Sequence, residues 1–595
     1  MGIYTAYVQT LNTVYFDNVQ LFKEEFGHSY DYDSNGNLIS VVDLQKNKTK
    51  YDYDSNNNLV KMTLPSGASQ SYTYDSYHNV TKAVSPEGVT SRFTYDTYGN
   101  IKTVKLGSGS QTISASAVYT ANGDQVSSVT DALGQTTTYG YDTQTGVLNW
   151  TQAPGETAST RTNYTHDQLY RTTKVQQSTA AVDYTYSKDL LSAISTASGT
   201  DYSFTYGVFD LTTAVKAGSR TLISHSYTND QNRRLSRSVY GNGDAVSYSY
   251  DSFGRTTAVT YGDTGSTVSY AYDANSNLGQ LTDGISGRVN RYSYDFLDRL
   301  MRYEESGDGY SNIVQWGYDD ENNLSSQTQT LNGSTYTSTY AYDKDNRLTK
   351  ATEGAISANY AYDSFSRMSG LTVKNGSSPV VSTTVTYVNP SSSATSTQVK
   401  TWNNGKVAYT YTYDNKGNIT SITGGGLEFE YRYDKYGRLI SAEDYPGGYV
   451  WTYTYDDGGN ITQRGLTDYY NNKNPNSILA TYTYDNTDWP DLLTAFNGKS
   501  ITYDAIGNPL SDGTWTYAWQ HGRQLASMSK SGSSITYGYN ANGKRISKTV
   551  NGTTYNYSYL GDQLTEMTWG SNKLHFTYDS TGPASVTYNL SLIHI

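Results

Sequence analysis

The sequence predicts an all-β protein made of consecutive β-hairpins, and three observations predict it. The first is a repeat. The stretch Tyr30-Asp31-Tyr32-Asp33-Ser34-Asn35-Gly36-Asn37-Leu38 returns from Tyr51, from Tyr72 and, less strictly, from Phe93. Its second tyrosine stands at 32, 53, 74 and 95, a strict period of 21 residues, and a fixed period in this range marks a repeat architecture. The second is the Tyr-x-Tyr spacing, which puts both rings on one face of a strand because side chains alternate with period two. The third is the Asp-x-x-Gly-Asn or Asp-x-x-Gly-Arg that follows. There the aspartate bonds the backbone ahead of it and Gly or Asn takes the positive-φ position of a turn.

Each unit therefore reads as two strands and two turns. An apolar-led strand follows the aspartate turn, as in Leu38-Ile39-Ser40-Val41-Val42 or Leu439-Ile440-Ser441-Ala442. A second polar turn, such as Pro86-Glu87-Gly88, leads back to the next Tyr-x-Tyr.

In chain order, residues 1–27 do not follow the repeat. Within them Val14-Tyr15-Phe16-Asp17-Asn18-Val19-Gln20-Leu21 alternates and is expected to form a strand. That strand is either the cap of the array or the last strand of an upstream jelly-roll-like module. From residue 28 to 589 the motif recurs with spacings that drift by a few residues, and some units are degenerate, such as Tyr164-Thr165-His166-Asp167 and Tyr206-Gly207-Val208-Phe209-Asp210. Variable loops on a constant strand frame account for that drift. Two stretches break the rhythm: residues 373–405, with Pro379, Pro390 and the run Ser391–Ser396, and residues 466–480. Both are expected to be long surface loops or irregular plugs. No stretch has convincing helical period.

Composition narrows the function classes. The 595 residues include 62 Tyr, 53 Gly, 10 Pro and no Cys, with a mean hydropathy of −0.65. Tyrosine must supply much of the buried area, each ring keeping its hydroxyl bonded or wet. The net charge of −12, with signs interspersed, disfavours nucleic acid as a partner, because phosphate binding needs a basic stripe. The absence of Cys excludes disulfides and thiolate metal sites. No run approaches the length of a membrane span, and no signal peptide is visible.

Several patterns invite a chemical reading. Asp31-x-Asp33-x-Asn35-Gly36 opens like a calcium loop, but the bidentate glutamate required at the twelfth position is replaced by Val42, which favours turn chemistry. The histidines at 28, 78, 166, 225, 521, 575 and 594 form no zinc-type pair. Gly498-Lys499-Ser500 lacks the earlier glycine of a phosphate loop, where Leu493 stands instead. A catalytic carboxylate pair is needed once, whereas these aspartates recur in every unit and are turn residues. Trp515 and Trp519 are expected to pack as a local plug. No catalytic, cofactor-binding or metal-binding residue is assigned, and no cofactor is expected.

The Tyr-Asp unit followed by Gly-Asn-Leu or Gly-Arg-Leu, over residues 28–589, resembles the YD repeat of the RHS-repeat family. The run Tyr503-Asp504-Ala505-Ile506-Gly507-Asn508-Pro509, continuing to Trp515-Thr516-Tyr517-Ala518-Trp519-Gln520-His521-Gly522-Arg523, is similar to the late shell segment of Gram-positive, wall-associated members. So are Tyr559–Leu564 and Phe576–Pro583. The resemblance implies a large hollow β-shell, a ribbon of hairpins spiralling around a cavity that encloses a C-terminal toxin. It also implies an Asp-Pro-x-Gly core-end motif for autoproteolytic release, yet the sequence contains no Asp-Pro.

The expected function is thus that of a non-enzymatic shell of a secreted or cell-surface protein, which encloses and helps deliver a polymorphic toxin in contact-dependent competition. The alternative is a carbohydrate- or cell-wall-binding adhesion protein whose partners are wall glycans. An enzyme on a β-repeat frame ranks last, because no unit carries a unique polar cluster. Upstream modules and cargo are expected to lie outside this chain. Leu590-Ser591-Leu592-Ile593-His594-Ile595 matches the in-frame translation of a sequencing adapter and is expected to be non-native.

Overall fold

The computed structural model describes residues 27–107, 109–468, 477–578, 582–589 and 591–593. The strand expected at Val14–Leu21 lies outside these residues, as do Leu590, His594 and Ile595. Ser591–Ile593 pairs antiparallel with Pro583–Tyr588, a pairing that does not bear on where those residues come from.

The described chain is an antiparallel ribbon. Forty-three strands run from Ser29–Tyr32 to Lys499–Ser500, and 11 more run from Thr502–Tyr503 to Ser591–Ile593. Strands pair with their sequence neighbours, as expected when every connection is a short turn. The hairpin of Ser69–Tyr74 with Val80–Val84 is typical: Ser71 faces Val84, Tyr72 faces Ala83 and Thr73 faces Lys82. The register then slips by one so that Tyr74 faces Val80. The same bulge recurs at the motif tyrosine of unit after unit, for example at Tyr95, Tyr250 and Tyr433. It re-aims that ring while closing a turn of fixed length. Tyr72 and Tyr74 are half-buried and the alternate residues Ser71 and Thr73 exposed, so the two-faced strand read from the sequence is present. Among the described residues the one helical segment is a three-residue 3₁₀ turn, Val208–Asp210, in a degenerate unit.

The stretch 373–405 differs in part from expectation. Pro379 lies inside a ten-residue strand, Ser378–Tyr387, paired with Met368–Asn375. It sits where the register shifts opposite Lys374, and a bulge is where a residue without an N–H is tolerated. The serine run is exposed at Ser391, Ser392 and Ser393 and turns inward at its end, where Thr395 and Ser396 are buried as a plug. Thr112 donates its N–H to the Ser393 carbonyl, and Thr395 returns an N–H to the Thr112 carbonyl.

Those last bonds join residues about 280 positions apart, and they belong to a pattern. Gln45 reaches Asp295, Ser85 reaches Asp345, Thr179 reaches Tyr436 and Asp283 reaches Ala541. The separations are 250, 260, 257 and 258 residues. The ribbon therefore spirals and passes over itself after about 258 residues, or about twelve units of 21 to 22. Two coils make the wall of a β-shell. The chain exposes 33168 Å², against roughly 21,000 Å² for a compact protein of this mass. Fully buried large apolar side chains are correspondingly few, with Leu331, Ile506, Val268 and Val314 foremost. The wall is one sheet thick over most of its extent, and hydrogen bonding carries much of what a thick core would otherwise do.

Candidate functional site

The wall is built from three kinds of joint, each traceable to motif residues. The first is the aspartate turn. Asp33 Oδ1 accepts the N–H groups of Asn35 and Asn37, Oδ2 accepts the Asn37 side-chain amide, and the Asp33 carbonyl accepts the Gly36 N–H. Gly36 sits at φ 85°, where a Cβ is strained. The side-chain bond from Asn37, then the backbone bonds, hold the Asp33 carboxyl below its ordinary pKa. Where Arg replaces Asn the same oxygen is used: Arg255 Nε donates to Asp251 Oδ2 at 2.7 Å and Arg438 Nε to Asp434 Oδ2 at 2.7 Å. The alternation of Gly-Asn with Gly-Arg is thus one joint with two donors. Asp33 is consumed by its turn, and Asp31 points instead to Ser40 and Lys48, so the calcium-loop spacing does not converge. Among the described residues no group of His, Asp and Glu is placed to hold a metal.

The second joint is lateral. In many units the hydroxyl of the motif tyrosine donates to the carbonyl of the residue that begins the second strand of the preceding unit, whereas Tyr164 lies against the Thr151 hydroxyl and Tyr517 donates to Asp512. Tyr74 bonds Leu59, Tyr250 bonds Leu235, Tyr272 bonds Thr256 and Tyr455 bonds Leu439, all within 2.7 to 2.8 Å. Arginine-type turns add a cation over the same ring, with Arg255 4.6 Å from Tyr272, Arg347 4.5 Å from Tyr362 and Arg438 4.6 Å from Tyr455. Such a tyrosine ties its hairpin to the one before it.

The third joint is the seam between coils, and it is two-sided. Second turns of the first coil meet aspartate turns of the second coil. Glu87 Oε1 accepts the Lys344 N–H, while the Glu87 N–H and Ser85 hydroxyl donate to Asp345. Glu156 pairs with Lys416 at 2.7 Å. Asp244 accepts the Gly522 N–H and Asp263 the His521 N–H. Ile506, third in its turn, is fully buried beside Gly241.

Toward the C-terminal end the separations shorten, and strands overlap through a buried polar layer. Gln329 donates to Asn312 at 3.0 Å and to Thr565 at 3.3 Å. His575 Nε2 lies 2.8 Å from Glu353, stacks on Tyr336 with ring centroids 3.7 Å apart, and shares that glutamate with Ser338 and Thr577. Burial by itself would raise the Glu353 pKa; the His575 bond and charge, with the two hydroxyls, outweigh it and hold the carboxyl below the ordinary glutamate value. Lys573 pairs with the buried Glu566 at 2.6 Å beside them. Nothing in the sequence pattern marks this layer, because its members sit at positions the repeat leaves variable.

A cavity of about 490 Å³ opens in the same region, between the strands around Tyr292–Trp316 and those around Asn540–Asp562. Tyr292, Tyr303, Tyr310, Trp316, Tyr557 and Tyr559 line it. Arg288 bonds Glu305 at 2.9 Å and covers the Tyr310 ring at 3.6 Å. Burial, then the Glu305 charge, pushes the Tyr310 hydroxyl up to about 12. The remaining sequence candidates are placed plainly. Trp519 donates to the Pro509 carbonyl at 2.7 Å, and Trp515 lies under Lys530, so the two pack locally. Gly498-Lys499-Ser500 forms the tip and return of a tight hairpin. Of the described histidines, His521 and His575 both serve the seam.

Comparison with known proteins agrees with this geometry. The family model described as RHS Repeat matches residues 32–69 and 53–90, and the one described as Teneurin YD-shell matches residues 393–557. The chain is 42% identical over 97 residues to the tRNA3(Ser)-specific nuclease WapA of Bacillus spizizenii, covering 15% of this chain and 4% of that protein. It is 47% identical over 75 residues to the tRNA nuclease WapA of Bacillus subtilis strain 168, covering 12% and 3%. The chain thus spans a few per cent of the length of these relatives. A crystal structure of TcdB2-TccC3-TEV aligns over 96% of this chain and 33% of that one, at 15% identity and a TM-score of 0.43. Among the described residues no helix is long and apolar enough to cross a membrane. The repeat joints, the coil seam and the two matching family models establish that this chain is an RHS/YD-repeat protein.

Proposed function

We propose that the chain is the non-enzymatic shell of a secreted or cell-surface protein, which encloses a C-terminal polymorphic toxin and helps deliver it to neighbouring cells. The observation that carries this is the wall itself: two coils, one sheet thick, sewn by seam bonds at intervals of about 258 residues. Such a wall buries little core and encloses volume, and its spiral pairing leaves few open strand edges. The turn aspartates, the residues a catalytic reading would need, are used up in turn bonds. The relatives are named as nucleases, and the matched segments are 97 and 75 residues long; the toxin is proposed to be a separate domain carried with the shell.

The test is limited proteolysis of the intact native gene product. The toxin region is expected to resist protease until the shell is opened by a seam substitution such as Ile506→Asp. Cleavage of that region at the same rate in both proteins overturns the reading.

The cavity at the seam favours carbohydrate binding as a second reading. Six aromatic rings with a buried Arg288–Glu305 pair suit a sugar ring, whose faces stack while its hydroxyls bond. Glycan-array binding by the chain, lost on Trp316→Ala, supports it; an array without signal removes it.

A further inference from the structure

The first hairpins separate their charges in a way that the interspersed signs of the sequence conceal. Strand alternation sends Lys48, Lys50, Lys61, Lys82, Arg92 and Lys105 to the face opposite the half-buried tyrosines. Lys82 is half-buried there and the other five are exposed. The acidic residues of the same units mostly go elsewhere. Asp33, Asp54, Asp75 and Asp96 lie in the turns, each holding the N–H groups of its own turn. Two carboxylates share the face. Asp31 is engaged by Ser40 and by Lys48 at 3.4 Å, and Asp52 stands opposite Lys61 in register. A chain of net charge −12 thus presents a basic surface over its first four units.

Register then lines up three of the cations. Thr73 faces Lys82, Lys82 faces Arg92, Arg92 faces Lys105 and Lys105 faces Ser114. Neighbouring strands stand about 4.8 Å apart, and like charges directly opposite one another destabilise a sheet. Among the described residues Lys82, Arg92 and Lys105 form no ion pair, whereas arginines of the aspartate turns such as Arg255, Arg299 and Arg438 are all paired. At the positions of Thr73 and Lys82, later units place Thr386 with Thr401 and Thr412 with Ser421, bonded at 2.6 and 2.7 Å. Hydroxyls suffice for the wall at those positions. The row of cations serves a counter-charge from outside the chain.

We propose that this face binds a linear phosphodiester polymer whose phosphates are joined by small polyols and carry no bases. Lys, Arg, Ser and Thr are side chains that phosphate oxygens accept bonds from, and Ser71, Thr94 and Thr103 stand among the cations. Five of the six cations are lysines, point charges that suit phosphate, whereas a carboxylate-bearing partner favours the bidentate arginine fork. The one fork present is engaged, since Arg92 Nη1 donates to the Gly107 carbonyl at 2.9 Å. Charges repeated at strand spacing fit a chain of anions better than one compact anion. Single-stranded nucleic acid needs rings to stack on, and a membrane surface needs apolar side chains to insert. The paired positions of this face hold, besides ions, Ser and Thr with Val42 and Val84 half-buried. The exposed Ile39 and Ile101 stand singly at bulges, three units apart.

The probe is poly(glycerol phosphate), titrated into the full chain by calorimetry. Binding is expected at low salt and should weaken steeply between about 50 and about 200 mM salt. In Lys82→Ser/Lys105→Ser the Kd should rise at least about tenfold, and Lys50→Ser/Lys61→Ser should move it in the same direction. Lys400→Ser/Lys406→Ser makes the same change in net charge at exposed residues of the second coil and should leave the Kd within about twofold. The melting temperature of Lys82→Ser/Lys105→Ser should hold or rise, because Arg92 loses its like-charged neighbours. No binding at low salt, or an equal loss in the second-coil variant, overturns the proposal. So does tighter binding of poly-glutamate, of single-stranded DNA or of phosphatidylglycerol vesicles at matched anion concentration, which would make an acidic protein, a nucleic acid or a membrane the occupant.

Discussion

His575 and Glu353 stand 2.8 Å apart across the seam although 222 residues separate them in sequence. Glu353 is largely buried, and its folded pKa lies below the unfolded value of 4.5. A depressed carboxyl contributes stability that is present above the unfolded pKa and lost as pH falls through the folded one. The overlap of Leu348–Glu353 with Asn572–Tyr578 is therefore expected to loosen below about pH 4.5. Lys573 and the buried Glu566 form an ion pair that faces the same site. Hydrogen exchange of these two strands between pH 7 and pH 4 checks this. Glu353→Gln, which leaves His575 without its carboxylate, is expected to cost about 3 kcal/mol and to flatten that pH dependence.

The lateral tie is testable one atom at a time. Tyr272→Phe removes the bond to the Thr256 carbonyl and keeps the ring beneath Arg255. A cost of about 1 kcal/mol is expected. The same change at Tyr455 should add to it, because distant units of an array behave independently. Denaturant midpoints of the two single variants and the double variant measure both claims.

At the turn, Asp251→Ala removes the acceptor of the Phe253 and Arg255 N–H groups and of the Arg255 side chain. A loss of about 2 kcal/mol is expected. Arg255→Lys should cost less, about 1 kcal/mol, because the backbone bonds to Asp251 and a positive charge beside it remain while the planar contact with Tyr272 and the fixed fork are lost. Thermal melts rank the two, and the opposite ranking would remove the turn from its role as the stronger joint.

The seam predicts a contrast between equivalent positions. Ile506→Ala leaves a cavity at a fully buried site and should cost about 3 kcal/mol. Phe253→Ala, at the matching position of the first coil, should change stability by no more than about 0.5 kcal/mol. Chemical denaturation of both variants decides whether coil contact, and not turn identity, sets the energetics.

What could be read from the sequence was local. Tyr-x-Tyr, the aspartate turn and the 21-residue period each involve residues within one unit, so strand faces and hairpins followed from alternation and turn chemistry. The destination of the tyrosine hydroxyl was less legible, since the Leu59 carbonyl that receives Tyr74 belongs to the unit before it. The seam was not legible at all. Which turn meets Glu87 depends on how many units complete a circuit, and that number is the sum of small twists that no single residue encodes. Glu353 and His575 accordingly looked like ordinary variable positions. Pro379 misled for a related reason, because a bulge opposite Lys374 made room for it inside a strand. The plug role of Thr395 and Ser396 depends on Thr112, far away in the other coil.

The circuit of about twelve units has one more consequence. Glu87 with Lys344, Glu156 with Lys416 and Asp283 with Ala541 are individually matched partners, so the two coils mesh like a vernier. Adding or deleting one hairpin inside the paired stretch would slide every later tooth past its mate by a full unit. Growth by the usual route of repeat duplication is therefore confined to the ends of the ribbon or to whole circuits. The circumference of the wall is held by the seam, and the length of the ribbon along the spiral axis is what remains free to vary.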